Sequence, residues 1–199
     1  MYDDYIFQVV KSDATTEQLD MTYFAQYNPS LGFKVSVDGV HNTPNAVPYA
    51  VIMSLNPPGD FYVEERKQDA DVGLVCNCDW NSPVRSIRFK EGFSAFRDVP
   101  GKPSTVIVFE VRSVESSSVK INFKDAGWTV LPVFVKENKK VYIRSGYYQL
   151  PLLRGPVNAE VIKEMAKYED PLKYLTSVSK KKKIYPADPF CILVRLLDG

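Results

Sequence analysis

The stretch Thr105–Phe134, TVIVFEVRSVESSSVKINFKDAGWTVLPVF, predicts the fold class of this chain. It begins with TVIVFEV and ends with GWTVLPVF, and both runs are rich in the β-branched and aromatic residues that favour buried strands. The serine-rich segment between them shows no helical periodicity and predicts a loop. Two strands joined by a loop are a unit of antiparallel β structure.

The same pattern recurs along the chain. Apolar runs of strand length, separated by turn signals, predict about eight to ten strands with the spacing of a sandwich or barrel. These runs are Leu31–Val40, Val47–Leu55, DFYVEE, VGLVCNC, RSIRFKE, STVIVFEVRSV, VKINF, GWTVLPVF, KVYIRSGYYQLPL and FCILVRLL.

One segment has helical instead of strand periodicity. In Val157–Tyr168, the apolar residues Val161, Met165 and Tyr168 recur at the spacing of one helix face. The predicted fold is therefore all-β, an antiparallel sandwich of about eight strands with one short helix in a late loop. Trp128, between a glycine and an apolar strand, is predicted to be largely buried.

The chain divides into an N-terminal segment and one domain. Residues 1–30 are aromatic and acidic without clean alternation, so we expect an N-terminal arm or an extra strand there. Residues 31–199 are expected to form the sandwich domain. Within it, Tyr174–Pro186 contains four adjacent lysines and is expected to be an exposed loop. The final apolar run, FCILVRLLDG, suggests an excised domain.

Composition bounds the function. Lysine and arginine number 25 against 24 acidic residues. This balance gives no general attraction to nucleic acid, and we expect no nucleic-acid partner. The sequence contains no apolar run of membrane-spanning length. Three cysteines are an odd number, which favours reduced thiols and a cytoplasmic location over a disulfide framework.

Four motifs in order carry a resemblance to a known family. GFKVSVDGVHNTPNAVPYAVIMSLNPPG resembles the opening of a C2 domain, and the Trp80-Asn81 pair in CDWNSPVRSIRF resembles a later strand of that family. STVIVFEVRSV followed by GWTVLPVF resembles the strands on either side of the third ligand loop of C2 domains. The resemblance covers most of residues 31–153 and implies an antiparallel C2-like β-sandwich. It also extends to the divergent C2 domains of ciliary and centrosomal scaffold proteins, of the jouberin and nephrocystin type.

The resemblance also bears on metal binding. Calcium-binding C2 domains place several aspartates on two loops, because Ca²⁺ needs six to eight oxygen ligands. In this chain Val47 takes the place of a first-loop aspartate, and Ser113 and Glu115 take those of a pair in the third loop. Asp38 and Asp125 remain, but they are scattered. The resemblance therefore implies a calcium-independent domain without metal or cofactor.

The residues suited to catalysis or soft-metal binding do not form a known motif. Cys76 and Cys78 are the closest pair of soft ligands, but in a strand they would point to one face and pack as small apolar side chains. His41 is the single histidine and is expected to be a polar loop residue. No phosphate-binding glycine loop is found. We expect no enzymatic activity.

Two groups of residues are candidates for binding. Lys180, Lys181, Lys182 and Lys183 could contact an anionic lipid surface or a microtubule, with a solvated loop as the alternative. Tyr147 and Tyr148, in GYYQLPLL, could form an aromatic strip that binds a partner protein, with packing in the core as the alternative.

Two functional hypotheses follow. The first is a protein-interaction scaffold module in a cytoskeletal assembly, at a cilium, flagellum, centrosome or basal body, as the family resemblance implies. The second is a peripheral module that binds anionic lipid without calcium.

Overall fold

The protein is described from a computed structural model. The structure describes residues 23–57, 61–63, 66–68, 74–79, 81–116 and 120–199. Residues 1–22, most of the expected N-terminal arm, lie outside the described residues, and so does Trp80 of the C2-like Trp-Asn pair. Residues 23–26 form a strand.

The described residues form thirteen strands and two helices. The strands are β1 (Tyr23–Gln26), β2 (Phe33–His41), β3 (Tyr49–Asn56), β4 (Phe61–Val63), β5 (Arg66–Gln68), β6 (Leu74–Asn77), β7 (Ser86–Arg88), β8 (Ser94–Arg97), β9 (Val106–Ser116), β10 (Ile121–Pro132), β11 (Phe134–Glu137), β12 (Lys140–Leu153) and β13 (Pro186–Asp198). The helices are α1 (Ala159–Met165) and α2 (Pro171–Lys182). The prediction of a mostly β, antiparallel protein is confirmed.

The strands join into one curled antiparallel sheet. Its main path runs β5-β4-β8-β2-β13-β12-β10-β9-β3-β6, while β1 and β11 pair with β12 and β7 pairs with β2. Ten strands therefore lie on this path, and the predicted number of about eight is too low. The expected pair of separate sheets is replaced by a continuous path, although β10 and β12 pair at the single position Trp128–Leu153.

The curl closes around one hydrophobic core. Apolar side chains of β2, β12 and β13 pack in the same cluster as those of β3 and β9. Val35 and Val194 come from the first group of strands, and Val51 and Phe109 from the second; all four are almost fully buried. Alternation along each strand puts these residues on the inner face. The opposite residues of each strand are left for the outer faces of the sheet.

Within the quoted stretch Thr105–Phe134, β9 and β10 pair antiparallel. The resemblance places Ser113 and Glu115 in a ligand loop, but they lie inside β9, where they pair with Lys124 and Asn122 of β10. Serine has a low strand propensity, and the pairing with β10 supplies the hydrogen bonds that the local sequence does not predict. The two strands expected at VKINF and GWTVLPVF are largely one strand, with an irregularity in register between Asp125 and Gly127.

A second helix stands where a loop was expected. Asp170 caps α2 by accepting a hydrogen bond from the backbone N–H of Lys173, and Pro171 occupies its first turn. Leu175 is buried on its inner side. The expected loop at Tyr174–Pro186 is therefore wrong, because the capping signals at Asp170 and Pro171 outweigh the polarity of the lysine run.

Both helices cover the outer face of the sheet and create a second core. Trp128 of β10 is 1% exposed and packs in one cluster with Val161 and Met165 of α1 and Leu175 of α2. The predicted burial of Trp128 is confirmed. Its neighbours are the helices and not the interior of the curled sheet.

Candidate functional site

The four lysines occupy the end of α2. Lys180, Lys181 and Lys182 form its last turn, and Lys183 caps it in a left-handed conformation. Cations at this position are favoured by the helix dipole. The Lys182 ammonium lies 2.7 Å from the Glu160 carboxylate of α1, and this hydrogen bond lowers the pKa of Glu160. Lys182 thus ties the two helices together, whereas the other three side chains are exposed.

A test of the lysines has to spare the contact between Lys182 and Glu160. Lys180→Glu together with Lys181→Glu spares the Lys182–Glu160 pair and is expected to keep the fold intact while lowering the melting temperature by several degrees, because acidic side chains at this end of α2 are disfavoured by the helix dipole. If the lysines contact an anionic surface, the double variant loses cosedimentation with acidic liposomes or microtubules. Lys34→Glu with Lys102→Glu changes the same charge on another part of the surface and is the matched control.

Equal binding of the native chain and both double variants would show that the end of α2 is a solvated surface only. A loss of binding confined to Lys180 and Lys181 would identify them as contacts. The binding that they support must also weaken with added salt, because exposed charges are screened over about 8 Å at physiological ionic strength.

Tyr147 and Tyr148 point to opposite faces of β12. Tyr147 is 52% exposed. Tyr148 packs against the main core and donates its hydroxyl hydrogen bond to the backbone oxygen of Arg144, and burial raises the pKa of Tyr148 to about 12. Neighbouring residues of a strand alternate in direction, so the two tyrosines do not form one strip. Tyr147 alone remains available to a partner.

Tyr147 belongs to a larger group on the outer face of β1, β12 and β13. Arg195 of β13 is its direct cross-strand neighbour. Tyr23 of β1 lies opposite Ser145, two residues from Tyr147 on the same face, and it is 49% exposed. The Tyr23 hydroxyl donates a 2.6 Å hydrogen bond to the Asp198 carboxylate, and this bond raises the pKa of Tyr23.

Arg195 is held in place from two sides. Its guanidinium donates hydrogen bonds of 2.7 and 2.9 Å to the Asp38 carboxylate. It also lies over the ring of Phe93, with 4.7 Å between the guanidinium carbon and the ring centroid. We call Tyr23, Tyr147, Arg195, Asp38 and Phe93 the tyrosine face. Sequence reasoning missed all of these except Tyr147 as members of a site, because only strand pairing over long sequence separations brings them together.

The positions where the resemblance expects calcium ligands have other roles. Val47 is half-buried and packs against the main core. Ser113 is buried inside β9. Glu115 forms an ion pair with Lys124 of the neighbouring strand, with 2.7 Å between the carboxylate oxygen and the ammonium nitrogen. These side chains therefore belong to the sheet and its surface.

The two remaining aspartates are each paired with an arginine. Asp38 lies 2.7 Å from Arg195, and Asp125 lies 3.6 Å from Arg112. In the part of the chain that the structure describes, no three His, Cys, Asp or Glu side chains gather in a way that could hold a metal ion.

We expect millimolar calcium to leave the melting temperature of the chain unchanged relative to chelator. Asp38 and Asp125 would each have to exchange an arginine for the metal, and among the described residues neither belongs to a group of three His, Cys, Asp or Glu side chains that could hold one. Binding of any ligand to the native state must raise its apparent stability. Differential scanning fluorimetry with calcium, and with magnesium as the control, measures the effect; a calcium-specific rise of several degrees would contradict the prediction.

The cysteines and the histidine are parts of the sheet. All three cysteines of the chain are free, and burial raises the pKa of Cys76 to about 12. Cys78 is half-buried and packs against the main core, as expected for a small apolar side chain. His41 is the last residue of β2 and not a loop residue; its Nδ1 lies 2.8 Å from the hydroxyl oxygen of Ser86, its cross-strand neighbour. Burial, with a contribution from Arg88, lowers the pKa of His41.

The functional interpretation of this chain rests on its own geometry. No helix in the described part of the chain is long and apolar enough to cross a membrane. No family model matches the sequence, and no curated protein is significantly similar to it. The resemblance to C2 domains remains a prediction from the residues, and the tyrosine face is the candidate site.

Proposed function

We propose that this chain is a non-enzymatic protein-interaction module, a C2-like β-sandwich that acts as a scaffold in a cytoskeletal assembly. The observation that carries the proposal is the tyrosine face, an outward surface on which aromatic rings surround an arginine that is already fixed in position. The assembly is ciliary or flagellar by the resemblance alone.

The composition of the tyrosine face suits a protein partner. Tyrosine and arginine are enriched among the residues that dominate binding energy at protein interfaces, because they bury a large area and still offer hydrogen bonds. Arg195 is held by Asp38 and stacked on Phe93, so little side-chain freedom is lost on binding. Tyr147 stands directly beside it with half of its surface accessible.

The strand arrangement is compatible with the sandwich that the resemblance implies. Around the narrow link between β10 and β12, the path separates into β5-β4-β8-β2-β13-β12 on one side and β10-β9-β3-β6 on the other. The first group has six strands and the second has four, and the two groups share one core. This grouping supports a C2-like architecture.

The runner-up function, calcium-independent binding of anionic lipid, depends on the end of α2. Lys182 is paired with Glu160, which leaves three lysines for a lipid surface. Each of them would contribute roughly 1 kcal/mol of binding free energy at a charged membrane. Such a surface gives weak and salt-sensitive attachment. The tyrosine face offers exposed aromatic rings and directional hydrogen bonds, so we place protein binding first.

The test compares what three forms of the domain retain from a ciliary or flagellar extract. The forms are the native chain, Tyr147→Glu and Tyr185→Glu. Tyr185 is 54% exposed and lies outside the tyrosine face, so it is the matched control. We expect a defined set of proteins to bind the native chain and Tyr185→Glu in equal amounts and to fall at least tenfold with Tyr147→Glu, which corresponds to about 1.4 kcal/mol.

Two results would contradict the proposal. The first is equal retention of the same proteins by all three forms. The second is cosedimentation with acidic liposomes that is abolished by the Lys180→Glu, Lys181→Glu variant, with no protein retained specifically by the native chain; that result would establish the lipid-binding alternative.

A further inference from the structure

The strand β10 has an unpaired edge along its first half. On one side it pairs with β9 from Ile121 to Pro132. On the other side it meets β12 only at Trp128, opposite Leu153. Over Ile121–Ala126, no strand among the described residues pairs with this second side. An exposed edge of this kind is a template for pairing with another chain.

One hydrogen bond shows which backbone N–H and C=O groups of β10 point to the unpaired edge. The backbone N–H of Val114 in β9 donates to the Pro48 oxygen at the start of β3, over 2.8 Å. The N–H and C=O of a strand residue point to the same side, so both groups of Val114 face β3. Its partner Phe123 is therefore in a non-hydrogen-bonded pair with it, and the N–H and C=O of Phe123 point to the open edge. Because strand residues alternate, the N–H and C=O groups of Ile121 and Asp125 also point to the open edge.

Two large apolar side chains are exposed at this edge. Ile121 is 61% exposed and Phe123 is 57% exposed, and both project from the same face of β10. Natural edge strands are often protected by charged side chains. Here the nearby charges are balanced within the chain, since Lys124 pairs with Glu115 and Asp125 lies beside Arg112.

We propose that this edge is a homodimer interface, in which β10 of a second copy pairs antiparallel with β10 about a twofold axis at Phe123. Phe123 of one copy then faces Phe123 of the other, Asn122 faces Lys124, and Ile121 faces Asp125. The outward groups of Ile121, Phe123 and Asp125 form about six backbone hydrogen bonds across the axis.

The sequence of the edge argues for a second copy as the occupant. About the Phe123 axis, two aromatic rings meet in the centre and an amide meets an ammonium on the other face, contacts that favour antiparallel pairing. No like charges face each other between Ile121 and Asp125. A closed twofold contact also uses the edge once and leaves no further edge for growth.

The predicted interface is small, so the dimer is expected to be weak. Five residues from each copy bury less than the ~1,200–2,000 Å² of standard stable interfaces. We expect sedimentation velocity to show monomer at low micromolar concentration and increasing dimer towards about a millimolar. Phe123→Lys places two ammonium groups opposite each other and is expected to weaken the dimer at least tenfold.

Cysteine cross-linking tests the register. In a hydrogen-bonded antiparallel pair the facing Cα atoms lie about 5.5 Å apart, within the range that a disulfide bridges. Phe123→Cys is therefore expected to form a covalent dimer under mild oxidation. The unsubstituted chain and Tyr147→Cys, which is equally exposed, control for the native thiols and for random collision.

The outcomes separate this proposal from the proposed function, because Phe123 and Tyr147 lie on different strands. A concentration-dependent dimer that is lost in Phe123→Lys but kept in Tyr147→Lys supports the β10 interface. A chain that stays monomeric throughout, a dimer unaffected by Phe123→Lys, or no more cross-linking at Phe123→Cys than at Tyr147→Cys would overturn it. Each of those results leaves partner binding at the tyrosine face untouched.

Discussion

Trp128→Ala is expected to lower the free energy of unfolding by about 3–5 kcal/mol, the usual cost of removing a buried tryptophan. Trp128 is 1% exposed, and it joins the sheet to both helices through Val161, Met165 and Leu175. Its removal leaves a cavity that these three side chains cannot fill without moving the helices. Equilibrium unfolding in urea measures the loss.

Tyr185→Ala is the control for this substitution. Tyr185 is 54% exposed, so its truncation is expected to change stability by no more than about 0.5 kcal/mol. A Trp128→Ala variant as stable as Tyr185→Ala would show that the packing of the two helices does not depend on the Trp128 side chain.

Gly32→Ala is expected to cost more than about 4 kcal/mol, in the range of the most destabilising single substitutions. Gly32 precedes β2 with φ +76°, a conformation that L residues rarely adopt. A Cβ at this position would lie 1.9 Å from the backbone oxygen of Phe96 in β8. Because the obstacle is backbone, β2 and β8 would have to separate at their pairing.

Gly155→Ala isolates the conformational part of that cost. Gly155 has φ +79°, but an added Cβ would meet nothing within 4 Å. It is therefore expected to cost only about 1–2 kcal/mol, the penalty of the left-handed conformation. Equal losses for the two variants, measured by urea unfolding, would contradict the close approach of Gly32 to β8.

The strands that could be predicted are those whose pattern is visible locally. Leu31–Val40 and Val47–Leu55 correspond closely to β2 and β3, because each has enough apolar residues to define a buried face. The short strand β8, Ser94–Arg97, was missed because four residues are too few to show a period. The end of β9, Glu115–Ser116, was missed because its strand conformation depends on pairing with β10 and not on its own propensity.

The helix α2 was missed for a different reason. Four lysines at its end suggested a solvated loop, whereas the signals of a helix lay ten residues earlier, at the Asp170 cap and Pro171. The predicted helix at Val157–Tyr168 exists as the shorter α1, Ala159–Met165. Capping chemistry was therefore more informative here than the character of the charged run.

The candidate site was predictable in one residue only. Tyr147 and Tyr148 are adjacent residues of the same type, so the sequence does not show which of them is exposed. Their opposite directions follow from the register of β12 within the sheet. Arg195 and Asp38 are 157 positions apart, and no local pattern indicates their contact. Such contacts follow from the order of strands, which the sequence alone does not determine.

The central claim is that the tyrosine face binds a protein, and site-specific photo-cross-linking tests it most directly. A benzophenone side chain placed at Tyr147 samples the outer face, and one placed at Tyr185 samples an equally exposed point away from it. In a ciliary or flagellar extract, we expect irradiation to give a discrete covalent adduct with a partner protein from position 147 and none from position 185. The absence of any protein adduct at 147, or the same adducts from both positions, would contradict the account.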